Sequence, residues 1–162
     1  AVTAALAADF SAAFTELPQL VGKLRTDLRE AQKALKEAQA ALAVYGAADL
    51  IQQAEAHGSV RLIRRVLEGR DPANVRALAS KAIETPGLVV LLGVPGAPAH
   101  VIVARSGDVP GDMPTVLRTV LAALGSEKGG GRPDFAQGTA PETTVEALEA
   151  ALLVAESAVL QA

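Results

Sequence analysis

The sequence contains no cysteine and no tryptophan, and only one tyrosine, one methionine and two histidines among 162 residues. Without thiols, disulfides, thiolate zinc sites and cysteine nucleophiles are excluded, and nothing argues against a reducing compartment. With one Tyr and three Phe as its aromatics, burial falls to Ala, Leu and Val, a composition that favours helix. No apolar run reaches the roughly 18 residues that span a bilayer, and no charged-then-apolar leader opens the chain, so a cytoplasmic location is expected. Nor is there a dominant charge. The net value of −3 lacks the basic excess of a dedicated nucleic-acid binder, so any such site must be local. The first residue is Ala1 and the single methionine is Met113, which suggests a piece of something longer.

What is present begins with a helical pattern. Apolar residues recur at Leu17, Val21, Leu24, Leu28, Ala31, Leu35, Ala38, Leu42 and Tyr45, alternating steps of four and three. This is the heptad spacing of a helix that lays one seam against another, with Leu24, Leu28, Leu35 and Leu42 as its larger knobs. Pro18 suits a first turn and Gly46 a C-terminal cap, and Val2 to Phe14 also reads as helical. A helical hairpin within the chain, or a coiled coil between subunits, satisfies that seam. Lys23, Arg25, Arg29, Lys33 and Lys36 are balanced by five acids over residues 1–46 and read as a solvated exterior.

Beyond a transition at residues 47–58 the period changes. Val60 to Leu67 predicts a strand ending at Gly69. Asp71 and Pro72 open a helix reaching about Glu84, and the apolar runs Leu88 to Val94 and Ala99 to Arg105 predict a hairpin. Asp112 caps a helix from Pro114 to about Leu124 that Gly125 closes, a glycine-rich loop extends to Gly138, and a last helix follows Pro141. The expected fold class is α+β: an N-terminal helical, coiled-coil hairpin over residues 1–57, then a small sheet covered by helices over residues 58–162.

The least ordinary stretch is Lys128-Gly129-Gly130-Gly131-Arg132-Pro133-Asp134-Phe135-Ala136-Gln137-Gly138. Successive glycines let backbone N–H groups turn toward one anionic oxygen, and Lys128 and Arg132 flank them with positive charge; a flexible surface loop is the plainer alternative. It lacks the Gly-Lys-Ser/Thr of a P-loop. A second basic group, Arg61, Arg64, Arg65, Arg70, Arg76 and Lys81, faces only Glu68, Asp71 and Glu84, while residues 141–162 carry four Glu and no base. That asymmetry suits a salt-dependent phosphate contact, or a strand edge kept solvated by arginine. His57 and His100 stand alone, so no metal ligand set is read, and each histidine is taken as an ordinary loop or sheet residue.

The run Gly129 to Gly138 resembles a signature of alanyl-tRNA synthetases, Gly-Gly-Gly-Arg-Pro-Asp-Met-Ala-Gln, with Phe135 in place of the usual Met and Thr139-Ala140 where small glycine-type residues are common. Arg64 to Gly69 and the helix from Asp71 to Glu84 are similar to the same family, and Ala1-Val2-Thr3 looks like the end of its editing domain. The resemblance is to the DHH-associated C-terminal domain and implies a tRNA-binding and interaction module, non-catalytic by itself. It implies active sites upstream, no cofactor here, and alanine-specific tRNA, the enzyme's other domains and a second copy of the chain as partners. Taking the glycine run and the basic group together, the candidate phosphate contacts are Lys128, Gly129, Gly130, Gly131, Arg132, Gln137, Arg61, Arg64 and Arg65. A purely structural dimerisation module, or the tail of a free-standing alanyl-tRNA editing protein, are the alternatives. A phosphoesterase substrate domain is disfavoured by the Arg-Pro-Asp continuation.

Overall fold

The computed structural model describes residues 2–161, with side chains from Glu16 onward; Ala1, at the head of the expected junction with an editing domain, lies outside the described residues. The chain forms two compact units, residues 1–39 and 40–162. The first unit belongs to helix α1 (Val2–Gln52). In place of the expected hairpin, α1 is one uninterrupted helix with Pro18 inside it. Proline there removes one intrahelical donor, which the neighbouring turns tolerate on a solvated surface. The seam residues Leu17, Val21, Leu24, Leu28 and Leu35 are all exposed, Leu24 by 64%.

The second unit opens with the last turns of α1, which the sequence had grouped with residues 1–57. Ala43, Ala47 and Leu50 are buried there. Gly46 does not cap the helix. It lies within α1, where a β-carbon would stand 2.7 Å from Leu78 Cδ1, so glycine serves close packing.

Then follow β1 (Glu55–His57), β2 (Val60–Val66), α2 (Pro72–Ala82), β3 (Leu88–Val94), β4 (Ala99–Arg105), α3 (Met113–Ala123), β5 (Lys128–Arg132), β6 (Phe135–Ala140) and α4 (Val145–Leu160). The α+β class is as expected. The strands form one six-stranded sheet in the order β1-β2-β3-β4-β6-β5. Only β2 and β3 run parallel, joined by the α2 crossover; the other pairs are antiparallel.

Period-two alternation sorts the side chains onto two faces. Leu62, Val89, Leu91, Val101, Val103, Ala136 and Ala140 pack with Met113, Leu117 and Leu121 of α3 and with Leu148, Leu152 and Ala155 of α4. Ile63, Leu88, Val90, Leu92 and Ile102 meet Val75 and Ala79 of α2 and Ala47 and Leu50 of α1 on the other face. Strand β3 is buried along its whole length, which accounts for its unbroken apolar sequence. Gly93 sits beneath α4, 3.2 Å from Leu148 Cδ2 at the β-carbon position.

The ends are tied by specific bonds. Asp112 accepts from Thr115 N–H at 3.1 Å and caps α3, as read from the sequence, whereas Asp71 precedes α2 without a side-chain cap. Asp108 accepts the Gly87 N–H through both oxygens, at 3.1 and 2.9 Å. Hydrogen bonds from Ser106 and then from Gly87 hold the Asp108 carboxyl below its ordinary pKa. Among the described residues no helix is long and apolar enough to cross a membrane.

Candidate nucleic-acid interface

The stretch expected to be a glycine-rich loop is a β-hairpin. Lys128 to Arg132 form the edge strand β5, paired with β6 from Lys128↔Thr139 to Arg132↔Phe135 around the two-residue turn Pro133-Asp134. None of the three glycines has positive φ. In an extended strand successive N–H groups point in opposite directions, so Gly129, Gly130 and Gly131 do not converge on one anion as a nest would.

Close approach explains Gly129, Gly131 and Gly138. A β-carbon on Gly129 would stand 2.8 Å from both Leu117 Cδ2 and Leu121 Cδ1, and one on Gly138 2.7 Å from Leu121 Cδ1. One on Gly131 would collide with the Phe135 carbonyl oxygen. Gly130 alone has open space above it. The Arg-Pro-Asp corner is also structural: the Pro133 carbonyl accepts from Met113 N–H at 3.0 Å and the Asp134 carbonyl from Arg105 N–H at 2.9 Å. The corner thereby fastens the hairpin to the start of α3 and the end of β4. Ser126 Oγ donates to the Thr139 carbonyl at 2.6 Å and accepts from Lys128 N–H at 3.1 Å, which fixes where β5 begins.

With Gly129 turned toward α3, alternation sends Lys128, Gly130 and Arg132 to the opposite face, the one that carries α2. Gln137 and Thr139 of β6 and His100 of β4 emerge on this face too, out of phase with Ala136, Ala140 and Val101. Helix α2 packs on β3 and β4, and beside it lies a groove of about 380 Å³. Arg76, His100, Lys128, Gln137 and Thr139 line it, together with Pro72 in the first turn of α2. Among the described residues no acidic one does. The positive end of the α2 dipole thus adjoins two cationic side chains and several hydrogen-bonding groups, an arrangement that attracts phosphate.

The structure does not gather all the residues the sequence nominated. Arg132 lies further along β5, 3.4 Å from Asp134 Oδ1 across the turn. Arg61 and Arg65 are in phase with Ile63 and leave β2 on the α2 face, but on a strand separated from β6 by β3 and β4. Arg64 points to the other face, where its Nε is 2.5 Å from Glu156 Oε2 of α4. It is committed there rather than offered to a ligand.

The groove also contains residues that sequence reasoning passed over. His100 read as an ordinary sheet residue and Thr139 as a departure from a motif, yet they are cross-strand partners. Only the β4–β6 register reveals this, because 39 positions separate them in the chain.

Comparison with known proteins gives concordant findings. The family model described as the DHHA1 domain matches residues 58–161. The alanine–tRNA ligase of Hyphomonas neptunium is 34% identical over 155 residues, covering 92% of this chain and 18% of that protein. That of Sinorhizobium medicae is 37% identical over 135 residues, covering 79% and 15%. The chain therefore spans less than a fifth of the length of these curated relatives. Among solved structures, the C-Ala domain from Aquifex aeolicus alanyl-tRNA synthetase is 27% identical and superposes with a TM-score of 0.55, covering 67% of this chain and 98% of that one.

Proposed function

The chain belongs to the DHHA1 domain family, and on that premise we propose that it is the non-catalytic tRNA-binding module of an alanine–tRNA ligase. The observation that carries this reading is the convergence of Arg76 from α2 and Lys128 from β5 on a groove without acidic lining. Two cations with Gln137, Thr139 and His100 beside them suit a ribose–phosphate backbone. With one Tyr and three Phe in the chain there is little aromatic surface for base stacking, so recognition is by shape and charge.

The module holds alanine-specific tRNA so that aminoacylation and editing centres elsewhere in the same enzyme, in the cytoplasm, act on one molecule. No cofactor is needed for this role. The relatives support it by name, being alanine–tRNA ligases, and so does the C-Ala domain, whose fold matches. A second function is compatible with the first. The exposed stripe of Leu24, Leu28 and Leu35 on α1 supports pairing of two copies of the chain through their helices.

The deciding experiment is binding of the chain to tRNA-Ala and to an unrelated tRNA at two salt concentrations, with Arg76→Ala/Lys128→Ala alongside. Salt-sensitive binding that the double variant loses supports the groove. Absence of binding to either tRNA overturns the RNA role and leaves self-association as the function.

A further inference from the structure

On the opposite face of the sheet lies a cluster that tRNA binding does not use. Strand β1 is three residues long, so Glu55 and His57, two positions apart, leave it on the same side. Helix α4 packs against β2 and brings Glu156 to the same place. His57 Nε2 is shut off from solvent and, among the described residues, has no hydrogen-bond partner. It faces Glu55 Oε2 and Glu156 Oε1, each at 3.9 Å. All three atoms lie within 4.8 Å of one another.

These separations are too long for hydrogen bonds. The two 3.9 Å separations fit donors around a shared ion: with metal–nitrogen and metal–oxygen distances of about 2.0–2.2 Å, ligand atoms on a tetrahedral zinc sit roughly 3–4 Å apart. Arg64 Nε holds Glu156 Oε2 and leaves Oε1 turned toward His57, so the carboxylate is oriented from behind. Two carboxylates against one guanidinium leave negative charge beside the unpartnered imidazole nitrogen. A pocket of about 220 Å³, whose polar lining is Gln53, Glu55, Arg64, Arg65, Glu149 and Glu156, adjoins the cluster and gives access for the ion and for water in a fourth position.

We propose that Glu55, His57 and Glu156 bind one divalent transition-metal ion, zinc by the preference of an imidazole-plus-carboxylate donor set. The ion ties the edge strand β1 to α4 and stiffens that end of the unit. This site stands independently of the nucleic-acid reading, since it shares no residue with the groove.

The test is titration of zinc chloride into chelator-treated protein, followed by calorimetry and thermal melting. With no cysteine and only His100 as another imidazole, background binding is low. The wild type is expected to take up one equivalent with a rise in melting temperature. His57→Ala and Glu55→Gln, which leave the Arg64–Glu156 pair in place, are expected to weaken binding at least tenfold, and His100→Ala to retain it. The proposal is overturned if no saturable one-equivalent site appears, or if His57→Ala binds zinc as tightly as the wild type. Stability that varies with pH but not with zinc identifies a bare ion-pair cluster and likewise overturns it.

Discussion

Gly129 lies directly against Leu117: a β-carbon on this edge-strand residue would stand 2.8 Å from Leu117 Cδ2. The three glycines of β5 are therefore not equivalent. Gly129→Ala and Gly131→Ala are each expected to destabilise the protein by about 1–3 kcal/mol, the usual cost of forcing volume into a packed site. Gly130→Ala, with nothing within 4 Å, is expected to leave the urea midpoint nearly unchanged. Equal losses at all three positions would contradict the packing account.

Charge in the groove makes a thermodynamic forecast. Removing Arg76 or Lys128 should weaken tRNA binding for every tRNA sequence alike, because a phosphate contact carries no base information. Each removal should also flatten the slope of log affinity against log salt by about one. Arg64→Ala, whose side chain is engaged by Glu156, should leave that slope unchanged. A filter-binding series from 50 to about 200 mM salt, the range over which such contacts lose most affinity, separates these outcomes.

Acid stability depends in part on Asp108. Its folded-state pKa is depressed by hydrogen bonds from Ser106 and the Gly87 N–H, so its contribution is present above the unfolded value, near 3.9. That contribution is lost as pH falls through the lower folded value. Asp108→Asn should accordingly show a smaller fall in stability below about pH 4 than the wild type does. Denaturant midpoints measured from pH 6 downward would expose a wrong sign.

The leucine stripe on α1 gives a third kind of test. Leu24→Asp/Leu28→Asp places charge in the middle of the seam while leaving the globular unit untouched. Sedimentation should report a shift toward monomer and an unchanged melting transition for the sheet. A wild type that is monomeric at every concentration would remove the pairing role.

Much of the fold was legible from pattern alone. Strands β2, β3 and β4 and helices α2, α3 and α4 fall close to where apolar runs, Pro-Gly boundaries and capping residues place them. Misreadings came where side chains carry little signal. Glycine is depleted in strands, so the Lys128–Arg132 strand looked like a loop; what makes it a strand is α3 beneath it and β6 beside it. Pro18 and Gly46 looked like helix ends because such residues usually are. Their true role depends on tertiary contacts, such as Leu78 against Gly46, that no local window contains. The groove was half legible: Lys128, Gly129 and Gln137 were named from motif, but Arg76 and His100 join them only through topology.

The order of elements along the chain also sets a timetable for synthesis. The face covered by α1 and α2 uses helices made before β3 and β4, so it can close as soon as β4 leaves the ribosome. The other face waits for α4, the last helix, and until then Leu62, Val89, Leu91 and Val101 remain without Leu148 and Leu152. A nascent chain stalled before Val145 would display a half-finished apolar surface, the state in which chaperones rather than tRNA would be its first company.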